Sequence, residues 1–265
     1  MSATRAAARR PSAGPLQAYV LHHYDWSESS LILDLFTRER GRLAVAAKGA
    51  KRPYSQLRGV LLPFQRLLVS LGRGADEAQA EVHTLRSAEW AGGAPMPSGA
   101  ALFPGFYLNE LLLRLLARQD PHAGLFDAYA QVLPMLAQAD DAQAQAALRA
   151  FELTLLRETG LLPELHCVTL TLQPLRDDAA YALRPETGVV AATADEPGIA
   201  GARWVALQAA LAHGSLEALR QECAGVLPAL RAGLRGLLQY HLGSSQLRTR
   251  QVMADVRRLL DPTEP

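Results

Sequence analysis

LQAYVLHHYDWSESSLILDLFTRERGRLAVAAKG, residues 16–49, decides the reading of the fold. LQAYVLHHY (16–24) is a short apolar-rich run that the polar DWSES ends. SLILDLFT (30–37) alternates loosely and carries Ile32, Leu33, Leu35 and Phe36. RGRLAVAAKG (40–49) starts at a turn glycine, Gly41, and closes at Gly49. Apolar runs of this length punctuated by turn residues are strands rather than helices. Downstream, FQRLLVSLG (64–72), bounded by Pro63 and Gly72, reads as a fourth strand. EAQAEVHTLRSAEW (77–90) reads as a fifth, alternating at Ala80, Val82 and Leu85. Five short strands at this spacing suit a small closed barrel.

Charge is divided unevenly along the chain. The 265 residues carry a net charge of +1, yet residues 1–86 hold 13 Lys/Arg against 7 Asp/Glu and the remainder holds 14 against 19. From Arg38 to Arg73 there are nine basic residues and a single acid, Glu39. Such a split points to a basic module facing a polyanion, joined to a mildly acidic module with another task. The connection between the third and fourth strands, KGAKRPYSQLRGVLLP (48–63), is too long for a tight hairpin and carries Lys48, Lys51, Arg52 and Arg58. In an OB-type barrel a loop so placed lies beside the nucleic-acid-binding face. The first fifteen residues, MSATRAAARRPSAGP, lack acids and apolar periodicity and read as a disordered basic extension, with an OB-type domain over 16–90.

AGGAPMPSGA (91–100) is the clearest break, and beyond it the apolar period becomes helical over 101–262. Tyr107, Leu108, Leu111, Leu112, Leu115 and Leu116 define one helix face, and a second helix is expected from Gly124 to Ala139. A third, from Ala142 to Thr159, places Leu148, Phe151 and Leu155 together and ends at Gly160 with Pro163 following. Residues 164–204 lose the helical period and read as a β-rich insertion with short strands at Val168–Leu172 and Gly188–Ala192. Helices resume near Ser215 and over Val226–Leu242, and Thr249 is the expected N-cap of a last helix containing Gln251 and Asp255. Apolar residues at 49% and charged residues at 20% fit a globular chain, and no apolar run nears the roughly 18 residues that span a bilayer. Two cysteines, Cys167 and Cys223, fit a reducing cytoplasm and cannot form a disulfide framework.

Several segments, in order, resemble the RecO family of bacterial recombination mediators. They are YVLHHYDWSESSLILDLFTRERGRLAVAAKGAKRP (19–53), LRGVLLPFQRLLV (57–69), GFYLNELLLRLL (105–116), LRAFELTLLRETGLLPEL (148–165) and YHLGSSQLRTRQVM (240–253). The resemblance covers roughly residues 16–260 and implies an α+β multidomain protein. Its parts would be an N-terminal OB-fold β-barrel and an α-helical domain with a small, degenerate zinc-ribbon-like β insertion at 164–204. It implies a nucleoid-associated protein that binds single- and double-stranded DNA and anneals complementary strands. It further implies help in loading recombinase onto DNA coated by single-strand-binding protein (SSB). The implied partners are the acidic C-terminal tail of SSB, the RecR protein and, indirectly, the recombinase. Many relatives carry a four-cysteine zinc module after the FEL helix; here HCVTL (166–170) keeps Cys167 but has Leu170 where a CxxC pair would place its second thiol. Structural zinc takes four ligands, and a set of His166, Cys167, His213 and Cys223 has the wrong local spacing, so no metal or other cofactor is expected.

Phosphate binding requires surface cations rather than a catalytic constellation. Arg38, Arg40 and Arg42 flank the turn before the third strand, Lys48, Lys51 and Arg52 crowd its end, and Arg58 and Arg73 bracket the fourth. Singly, each is a solvated charge; together, without acids, they read as one groove. Tyr54 lies within the basic loop, placed either to stack on a base or to pack, and few other aromatics interleave with the charge. Backbone attraction should dominate, giving sequence-tolerant, salt-sensitive binding. For the SSB tail, Arg149 beside Phe151 and Leu155 is the expected carboxylate partner, with Arg157 as substitute and the two apolar residues otherwise core.

Nothing in the sequence supports an enzyme. There is no GxxxxGK[ST], HExxH or GxSxG, His22 and His23 point to opposite faces of a strand, and Asp76–Glu77 and Asp177–Asp178 read as solvated turns. A two-metal nuclease would need acids in the half where they are scarce. The competing readings are an RNA-binding OB protein and a scaffold whose barrel contacts only protein.

Overall fold

The computed structural model describes residues 14–72, 80–93, 96–138, 141–243, 247–249, 251–252 and 255. The basic extension up to residue 13, Arg73 and Asp76–Glu77 lie outside them. The five expected strands are present: β1 (Leu16–Asp25), β2 (Leu31–Thr37), β3 (Gly41–Ala47), β4 (Leu67–Leu71) and β5 (Val82–Trp90). They close in the order β1-β2-β3-β5-β4, with β3 parallel to β5 and β4 returning to pair with β1. A short helix, α1 (Leu57–Val60), precedes β4. This is the OB-fold barrel followed by a helical region, an α+β chain.

Strand alternation sorts the apolar residues into two sets. Leu16, Ala18, Val20, Leu33, Leu35, Leu43, Val45, Leu67 and Val69 fill the barrel, sealed by Leu61 after α1. Tyr19, Leu21, Phe36 and Phe64 point outward and join the core of the helical half. That half comprises α2 (Leu102–Leu115), α3 (Ala123–Gln138), α4 (Asp141–Glu158), α5 (Gly201–His213), α6 (Leu216–Ala224) and α7 (Leu227–Leu242). The joint is an aromatic cluster in which Tyr19 meets Tyr129 at 4.9 Å edge-on and Phe36 meets Phe126 at 5.4 Å. Each such ring pair contributes roughly 0.5–1.5 kcal/mol beyond area burial.

Polar contacts weld the same joint. A bulge between Val20 and His22 breaks the β1–β2 register. At that bulge the Leu21 carbonyl accepts Asn109 Nδ2 at 3.0 Å, and Tyr129 Oη donates to Asn109 Oδ1 at 2.5 Å. Gly41 sits at φ +67°, where a Cβ would lie 1.9 Å from the Asp120 carbonyl oxygen, and its neighbour Arg42 accepts a backbone bond from Gln119 at 2.9 Å. Only glycine lets these two chains approach so closely.

The insertion departs from expectation in detail. Residues 168–172 turn rather than extend, with Leu172 at φ +56°. The sheet is instead β6 (Ala180–Arg184) between β7 (Gly188–Ala191) and β8 (Ile199–Ala200), and the helix α5 begins before Ser215. Ser215 does cap α6, accepting from Ala218 N. Thr249 is not an N-cap: it lies within the first turn, where Glu110 of α2 accepts from Arg248 N, Thr249 N and Thr249 Oγ1 at 3.0, 2.9 and 2.7 Å. A carboxylate from another helix thus satisfies those first-turn donors.

Candidate nucleic-acid interface

Among the described residues, the basic side chains stand in two groups. β3 runs seven residues from the β2–β3 turn to the loop after it, so Arg42 and Lys48 stand roughly 20 Å apart at 3.3 Å per residue. The expected cluster therefore divides between two ends of the barrel.

At the β2–β3 end the arginines bind the protein itself. Arg38 makes a bidentate pair with Asp127 of α3, both bonds at 2.9 Å. That hydrogen-bonded pair is the largest influence holding the Asp127 carboxyl below its usual range. Arg42 donates to the carbonyls of Leu113 and Leu116 at the C-terminal end of α2, the latter at 3.2 Å, and stands 3.7 Å from buried Asp34. Cations there complement the negative end of the helix dipole. Arg40 lies 3.4 Å from His83. The reading of Arg38 and Arg42 as free phosphate contacts is corrected accordingly: both are committed to the joint.

At the opposite end Lys48, Arg52 and Arg58 are exposed, and Tyr54 is 99% exposed rather than packed. Lys51 pairs with Asp25 at 3.1 Å. This loop is stitched to the β1–β2 turn: Lys51 N bonds Ser29 O at 3.0 Å and Gly49 N bonds Ser30 Oγ at 3.4 Å. The stitching brings in two aromatics that the linear sequence hid, Tyr24 and Trp26, at 49% and 56% exposure. Tyr24 ends the first apolar run within β1 and Trp26 lies in DWSES just after it; the position of that polar stretch between two strands was the available signal.

In the helical half, Arg149 is 3% exposed and bonded at 2.7 Å to Glu152, which also accepts Tyr107 Oη at 2.6 Å. Phe151 and Leu155 are fully buried. Arg149 is consequently a core cation paired i,i+3, and no ligand can reach it in this conformation; the spacing to Glu152 was the signal. Arg157 is at the surface, donating to the Leu211 carbonyl and lining a cleft of ≈290 Å³ with Leu211, Leu216 and Leu219. Asp127 and Glu158 line the same cleft, the latter 3.6 Å from both Arg157 and His122.

Among the described residues no three His, Cys, Asp or Glu stand together as metal ligands. Burial pushes the Cys223 thiol up to about 12. Hydrogen bonds tie the insertion instead, with Val189 N on Thr169 Oγ1 at 2.8 Å and Thr169 N on Val189 O at 3.0 Å. With two cysteines in the chain and Leu170 where a CxxC pair would place its second thiol, the donor set does not fit a four-cysteine zinc.

Residues 15–93 match the family described as Recombination protein O N terminal, and residues 97–251 match Recombination protein O C terminal. The chain belongs to the RecO family. It is 54% identical over 264 residues to the DNA repair protein RecO of Variovorax paradoxus (strain S110), covering 96% of this chain and all of that protein. It is 53% identical over 256 residues to the DNA repair protein RecO of Verminephrobacter eiseniae (strain EF01-2), with the same coverage. RecO membership makes this a DNA repair and recombination protein. No helix among the described residues is long and apolar enough to cross a membrane.

Proposed function

We propose that the chain binds single- and double-stranded DNA through the open rim of its barrel and anneals complementary strands without enzymatic turnover. The observation that carries this reading is the group Lys48 and Arg52 on the stitched loop and Arg58 on α1, all exposed, beside exposed Tyr54. Annealing requires neutralising the repulsion between two phosphate backbones while reading neither, and cations on a rim do that. The barrel's opposite end and part of its outer wall are occupied by the helical half, which directs nucleic acid to the rim.

In this reading the protein also helps load recombinase on SSB-coated DNA. The SSB tail supplies a carboxylate and an apolar side chain, for which the cleft offers Arg157 beside Leu211 and Leu216. RecR is the second protein partner. The test is annealing of SSB-coated complementary strands across a salt series, with wild type, K48E/R52E and R157E. Annealing should be salt-suppressed in wild type and abolished in K48E/R52E, while R157E should anneal bare strands normally and fail on coated ones. A wild type that neither binds nor anneals DNA at low salt would overturn the reading in favour of a protein-contacting barrel.

A further inference from the structure

Tyr24, Trp26 and Tyr54 leave apolar ring area in water at one end of the barrel. The first of them is ordered by β1. After the bulge, His22 pairs across from Asp34 and Tyr24 from Ile32. Directly opposed residues share a face, so both point outward. The His22 and Tyr24 rings meet edge-to-face at 4.5 Å. Trp26 follows just past the strand, exposed, in a turn fixed by its N–H to Ser30 O at 3.2 Å and by Lys51 N to Ser29 O. One end of the row therefore meets the basic loop.

The other end meets a second positive group. Asp34, buried beside Tyr24 on the same outer face, lies 3.7 Å from both Arg42 and Arg118. Two guanidiniums on one carboxylate leave positive charge in excess, and Arg118, whose side chain is 47% exposed, carries it to the surface. Arg118 follows α2 and belongs to the helical half, bridging Arg42 of β3. The row of rings thus runs from cations on the barrel rim to a cation on the helical half.

We propose that His22, Tyr24 and Trp26 form a stacking platform for the unpaired bases of one DNA strand, whose phosphates are held by Lys48 and Arg52 at one end and Arg118 at the other. The proposal rests on the DNA-binding reading above and adds a strand preference to it. Bases within a duplex already stack on each other and cannot use the platform, whereas every unpaired base has a free face. It also replaces the expectation that backbone attraction dominates: part of the single-strand affinity is insensitive to salt.

Binding of oligo(dT) and of a duplex of equal length, measured by anisotropy for wild type, W26A, W26F, R118A and K48E/R52E, tests it. W26A should weaken oligo(dT) binding roughly 10-fold, within the range of one base–ring stack, with an unchanged salt slope. Its duplex affinity should stay within about two-fold, and W26F should retain most single-strand binding. R118A should flatten the log–log salt slope for oligo(dT) by about 0.7. In a W90F background, where Trp204 is buried, oligo(dT) should quench Trp26 fluorescence. A W26A protein, folded by circular dichroism, that keeps its oligo(dT) affinity or weakens equally toward single and double strands overturns the platform. If K48E/R52E still weakens both ligands in that case, the DNA-binding reading stands without it. An unchanged slope in R118A removes the crossing onto the helical half, and a wild type that binds neither ligand removes the underlying reading instead.

Discussion

The two ends of the barrel carry similar cations and use them in opposite ways. At the β2–β3 turn, Arg38 and Arg42 face α3 and the C-terminal carbonyls of α2, and they hold the two halves of the molecule together. At the β1–β2 and β3–α1 rim, Lys48, Arg52 and Arg58 face solvent beside exposed rings. Basic density along a sequence therefore counts two different things. A cation within reach of helix carbonyls or a carboxylate on a neighbouring element becomes part of the fold, and a cation on a loop with no such neighbour remains available to a polyanion. Arg149 extends the first class into the core of the helical half.

The inward-facing arginines carry the largest expected effect. Arg149→Ala leaves Glu152 buried without its cationic partner and should destabilise the protein by about 3–5 kcal/mol in urea unfolding, against about 0.5 kcal/mol or less for Lys48→Ala. Equal small losses at both positions would erase the distinction. Next in size is Gly41→Ala, which places a Cβ against the Asp120 backbone at positive φ. A destabilisation exceeding about 1 kcal/mol is expected in the same assay, and a neutral substitution would show that the joint yields at this point.

A smaller effect follows from Asp127, whose carboxyl Arg38 holds below its usual range. A depressed carboxylate contributes stability that is complete above its unfolded value and disappears as pH falls through the folded one. The stability difference between wild type and Arg38→Ala should accordingly be full at neutral pH and shrink below about pH 4. A difference that persists unchanged to low pH would mean that Arg38 acts through packing alone.

How much of this was legible in the sequence varies with the origin of the signal. The barrel strands were readable because each alternates between punctuating turns, and α2 to α4 because their apolar residues recur at helical spacing. The helix α5 escaped notice because its start at Gly201 follows Ala200, with no capping side chain to announce it. The expected strand at 168–172 failed because Leu172 adopts a left-handed turn conformation that its side chain does not advertise. At the candidate interface, Lys48, Arg52 and Arg58 could be named from the loop alone, but nothing local separates them from Arg38 and Arg42. That separation comes from Asp127, Leu113 and Leu116, at least 70 residues away in sequence. Trp26 and Tyr24 were missed for the converse reason, since the hydrogen bonds that bring them to the basic loop cross from one turn to another.

The most direct test sets the two ends of the barrel against each other in one measurement, the salt dependence of oligo(dT) binding for wild type, K48E/R52E and R40E. The rim variant should flatten the log–log slope by about 0.7 for each phosphate it no longer neutralises, while R40E should leave the slope close to that of wild type. A slope that falls in R40E and holds in K48E/R52E would place the DNA at the other end of the barrel.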